Sequence, residues 1–72
     1  MNDTNDDWQN KANYFFKNKR FLHIELKNKR FFNGEIIEVN SDFIIFYDRM
    51  IGEMPIFFSE IYSMEIYTAR LK

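Results

Sequence analysis

The chain has 72 residues, 46% of them hydrophobic, with nine Phe, four Tyr and one Trp, no cysteine and a net charge of −1. That length makes one domain, and a chain so short buries only ~60% of its unfolded surface. The absence of cysteine excludes disulfides and thiolate metal sites and fits a cytoplasmic location. The charge is uneven: residues 1–10 carry −3, residues 11–30 carry +6 and residues 31–72 carry −4. A uniform nucleic-acid coat is thereby excluded, while a local basic site is not.

Residues 1–5 read as a flexible acidic tail and 6–72 as a single domain. The opening MNDTNDDW has no basic n-region or apolar h-region, so it does not read as a secretory signal. No apolar run approaches the ~20 residues of a membrane span. A helix is predicted over about 6–18. Thr4 or Asp6 is its cap, and Trp8, Ala12, Phe15 and Phe16 form one apolar face. Lys17, Lys19 and Arg20 follow at its negative end, where cations are favoured.

Strands are predicted over about 20–27, 30–39, 43–49, 54–58 and 61–68. In the first, Leu22, Ile24 and Leu26 face one way and Phe21, His23, Glu25 and Lys27 the other. Residues 28–30 make a hairpin turn, with Asn28 suited to a left-handed conformation. Gly34 interrupts the second strand and predicts a sharp bend or a close backbone approach, and a bent second strand is the device that curls a small sheet on itself. Residues 40–42 form the next turn, FIIFYD is a continuous apolar strand, and Pro55 is expected to begin the fourth strand. Asp48 and Arg49 suggest a local ion pair, and Ser59 a cap for a tight turn before the last strand. The fold class is mostly β: an N-terminal helix followed by a five-stranded, strongly bent SH3-like small barrel.

The pentapeptide KNKRF occurs twice, ten residues apart, on either side of the first strand. At ~3.3 Å per residue the two copies lie roughly 30 Å apart, too far for one phosphate clamp within a subunit. Each copy reads either as a solvated turn or as a basic contact for phosphate. Lys27, Lys29 and Arg30 are the best electrostatic feature of the chain.

The stretches LKNKRFFNGEIIEVNSDFIIFYD and IFFSEIYSMEI resemble the two motifs of the Sm-like family, which includes the bacterial Hfq proteins. Leu26, Asn28, Phe32, Gly34, Ile36, Val39 and Asn40 take the places of the first motif, and Ile61 the apolar place of the second. The resemblance spans about residues 8–70 and implies an Sm-type barrel. It also implies a homo-oligomeric ring of six or seven subunits, joined through the fourth and fifth strands, that would cover the apolar surplus. Binding of single-stranded RNA is a further implication, with Phe43 stacking a base, Asn40 and Asp42 at base edges, and Lys27, Lys29 and Arg30 on phosphates. The chain departs from the family in three places. Ile44 and Ile45 stand where the Sm pattern has Met-Asn, the Arg-Gly of the second motif is missing, and Phe58 and Ser59 stand where Hfq has Lys-His.

Catalysis is not expected. The lone His23 has only Glu25 as a neighbour on its face, no metal-ligand cluster is present, and no P-loop, dinucleotide or nucleophile-elbow motif appears, so no cofactor is implied. The alternative to RNA binding is a small-barrel protein–protein interaction module or complex subunit. A double-stranded DNA binder is disfavoured by the net negative charge.

Overall fold

The computed structural model describes residues 3–68. Helix α1 spans Asp3–Lys17 and is followed by β1 (Leu22–Leu26), β2 (Phe31–Val39), β3 (Phe43–Asp48) and β4 (Gly52–Phe57). A short 3-10 turn (Phe58–Glu60) then leads into β5 (Ile61–Ile66). All pairings are antiparallel, in one sheet of order β4-β3-β2-β1-β5. The helix begins at Asp3, three residues before the expected start, and Asp6 and Asp7 suit the positive end of its dipole. Residues 1–2 and 69–72 and the side chain of the proposed cap Thr4 lie outside the described part.

The helix buries Ala12 and Phe15 and packs Trp8 against the core, but Phe16 is 40% exposed. At about 100° per residue Phe16 falls roughly 80° from Trp8, beyond the stripe that a small sheet can cover. The helix ends in a Schellman motif: Arg20 N–H donates to Phe15 O (3.1 Å) and Lys19 N–H to Phe16 O (3.2 Å). Lys19 takes the left-handed conformation, with φ 51°.

The second KNKRF copy uses the same device. Lys29, not Asn28, is the left-handed residue of the hairpin (φ 77°). Asn28 Oδ1 instead accepts the Arg30 N–H at 3.0 Å. The repeat is therefore one local conformation, Asn followed by a left-handed Lys, serving once as a helix stop and once as a hairpin turn.

The alternation predicted for β1 is observed: Leu22, Ile24 and Leu26 are buried. Gly34 lies where β2 crosses closest to β3, opposite Asp48. A bulge between Ile36 and Glu38 turns the Ile37 side chain outward and adds curvature. The apolar run of β3 alternates after all, with Ile44, Phe46 and Asp48 facing inward. A second bulge, opposite the Glu25–Leu26 step of β1, leaves Tyr62 of β5 without a partner on β1.

Strand β4 begins at Gly52, where φ is 102°, two residues before the expected start. Pro55 stands mid-strand, opposite Ile45. It is tolerated because β4 is an edge strand. Phe58 N–H donates to Asp42 O (2.9 Å), which fixes that pair as hydrogen-bonded. Bonded and non-bonded pairs alternate, so the Pro55 nitrogen points away from β3. The N-cap of the 3-10 turn is Phe57, whose side chain makes no capping bond, and Ser59 lies within the turn rather than at its cap.

Candidate nucleic-acid interface

The turn between β2 and β3 is tied down on both sides. Asn40 N–H donates to Phe43 O (2.8 Å), and the helix reaches it through Gln9 Nε2, which donates to Asn40 O (3.1 Å). Asn40 Nδ2 donates to Glu38 Oε2 at 3.1 Å, which orients its amide. Phe43 leads out of the turn half-buried. Its ring lies 5.3 Å from that of Phe57, tilted by 39°. Phe57 is 45% exposed. Sequence reasoning missed Phe57. The signal was available, because antiparallel β3 and β4 strands of these lengths set Phe43 opposite Phe57.

The tip of the β1–β2 hairpin carries the basic residues. Leu26 N–H donates to Arg30 O (2.8 Å) and Lys29 N–H to Leu26 O (2.9 Å). The side chains of Lys27, Lys29 and Arg30 are exposed, with the Arg30 guanidinium 5.8 Å from the Phe32 ring centre.

The hairpin tip and the Asn40–Asp42 turn lie at opposite ends of β2, yet the fold links them through the 3-10 turn. Phe58, its first residue, donates to Asp42 O (2.9 Å), and Glu60, its last, accepts the Lys27 N–H (2.9 Å). With ~2 Å rise per residue in such a turn, the two anchor points are on the order of 5 Å apart along it. Five of the six residues expected at the site thus belong to two loops held by one short connector, and Phe43 opens the strand that leaves the second loop. Phe58, at the Lys-His place of Hfq, is fully buried and belongs to the core. Ser59 beside it is exposed and neutral.

The sheet surface opposite the core is acidic. Glu25 stands opposite Phe31, Glu65 opposite His23, and Glu35 and Glu53 flank Tyr47. His23 Nδ1 lies 2.7 Å from Asn33 Oδ1, and its ring lies 5.3 Å from that of Phe31, so its partners are Asn33 and Phe31 rather than Glu25. Among the described residues no group of three or more His, Asp or Glu is placed to hold a metal ion. No helix among them is long and apolar enough to cross a membrane.

No sequence family matches the chain, and no curated protein matches it significantly. Among solved structures it is similar to a crystal structure of the pleiotropic translational regulator Hfq. The superposition covers 83% of this chain and 98% of that one, with a TM-score of 0.74 and 13% sequence identity. The helix, the bent five-stranded sheet and this likeness establish that the chain has the Sm-like fold of the Hfq type.

Proposed function

We propose that this protein is a ring-forming Sm-like homo-oligomer of six or seven copies that binds single-stranded RNA in the cytoplasm without catalysing a reaction. The observation that carries this reading is the half-open aromatic pair Phe43–Phe57 beside the Asn40–Asp42 turn. An aromatic face open to solvent stacks any base for about 1–3 kcal/mol. The cations of the adjoining hairpin tip supply contacts for phosphate, and repetition around a ring makes weak contacts avid. Self-association is supported by the free edges of β4 and β5. The β5 edge carries the exposed apolar residues Tyr62 and Ile66. Edge pairing between copies removes an aggregation hazard and covers that surface.

Native mass spectrometry of protein purified without nuclease tests both parts. A mass of six or seven copies with bound nucleic acid is expected. A bare monomer overturns the reading.

A second reading, a protein-interaction subunit without nucleic acid, is favoured by the buried Phe58 and neutral Ser59 in the Lys-His place. It predicts an assembly with the absorbance ratio of protein alone.

A further inference from the structure

A hollow lies away from the Phe43–Phe57 pair, between the tip of the β1–β2 hairpin with the start of β2 on one side and the β3–β4 loop on the other. It encloses about 350 Å³ and is lined by Lys29, Arg30, Phe31, Arg49, Met50 and Ile51. The loop forming one wall is held in shape. Asp48 Oδ2 accepts the N–H groups of Met50 (2.8 Å) and Ile51 (2.9 Å), and its Oδ1 accepts that of Asn33 (3.1 Å). Arg49 N–H donates to Asn33 O at 3.1 Å, pinning the loop to β2. Held this way, the loop presents Met50 and Ile51 outward, 86% and 61% exposed, beside Phe31, 58% exposed. Three large apolar side chains fixed in water next to three cations make a surface shaped for a partner.

We propose that this cleft docks a short acidic peptide segment of a partner protein, one that carries an apolar side chain between its carboxylates. Lys29, Arg30 and Arg49 meet the carboxylates, with the guanidinium forks suited to paired oxygens. Met50, Ile51 and Phe31 take the apolar group, and methionine adapts to irregular shapes.

The chemistry favours peptide over RNA. The most exposed wall of the cleft, Met50 and Ile51, is aliphatic and offers a base no flat face to stack on. This inference does not depend on the RNA reading.

The test is fluorescence anisotropy of the full chain with two labelled probes, the hexapeptide DEFDLE and an oligouridine. Saturable peptide binding is expected, weakened about tenfold by Arg49→Glu and by Met50→Ser, and kept in Phe43→Ala. Met50 is so exposed that its serine variant leaves folding intact. Absence of saturable binding, or peptide affinity unchanged by Met50→Ser, overturns the proposal. An oligouridine affinity that falls in Met50→Ser as far as peptide affinity does overturns it too, by making the cleft a nucleic-acid groove.

Discussion

Gly34 and the Tyr47 carbonyl occupy adjoining space so closely that a Cβ on Gly34 would overlap that oxygen. The obstacle is backbone, and it belongs to the strand that Gly34 pairs with. Only a residue without a side chain therefore permits β3 to seat this closely on β2. Gly34→Ala is expected to lower stability by about 3 kcal/mol or more. For a domain this small that means loss of the folded state, read as loss of the cooperative urea transition. Gly52→Ala meets no atom within 4 Å and suffers only from its φ of 102°. Its loss is expected to be about 1 kcal/mol.

Asp48 is buried at the end of β3. Burial pushes its carboxyl pKa up, but the N–H groups of Ile51, Met50 and Asn33 and the charge of Arg49 outweigh that and hold it below the usual carboxylate value. With the folded value below the unfolded one, the stabilisation is complete at neutral pH. It is lost as pH falls from about 4 through the lowered value. Asp48→Asn is expected to cost about 1–3 kcal/mol at pH 7 by leaving an N–H underserved. It should also flatten the stability profile below pH 4, as measured by denaturant midpoints across pH.

Lys19 and Lys29 are non-glycine residues at positive φ. Lys19→Gly and Lys29→Gly should each raise stability by up to about 1 kcal/mol, and the corresponding valine variants should lower it by about 1–2 kcal/mol. Thermal midpoints check this. Equal effects of glycine and valine would mean that the backbone is not constrained there.

Phe43→Ala and Phe57→Ala should each weaken oligouridine binding by about 1–3 kcal/mol per stacked base while the assembly mass is unchanged. Neutralising Lys27, Lys29 and Arg30 together should make the slope of log affinity against log salt shallower by up to about 2. An unaltered slope would place the phosphates elsewhere.

Pro55 offers no donor to the open side of β4. If copies join through that edge, Pro55→Val restores one hydrogen bond worth about 0.5–1.5 kcal/mol per junction. The dissociation midpoint in a dilution series should then shift to lower concentration. An unshifted midpoint would exclude the β4 edge from the contact between copies.

The sequence by itself determined the kind and order of the elements, the inward face of β1 and the close backbone approach at Gly34. Each of these follows from periodicity or from the missing side chain of a single residue, and such signals are local. It did not reveal that Asp48 is an inward-facing anchor, that Phe57 shares a surface with Phe43, or that Phe58 belongs to the core. Nor did it show that the 3-10 turn ties the hairpin tip to the Asn40–Asp42 turn. Those relationships join residues far apart in the chain. They depend on how strongly the sheet curls and on register shifts at Ile37 and Tyr62, which only the packed structure decides. A single extra residue in one strand reverses which side chains face water beyond it. Local patterns therefore specify the strands, while the surfaces those strands create together arise only when the curled sheet closes over its core.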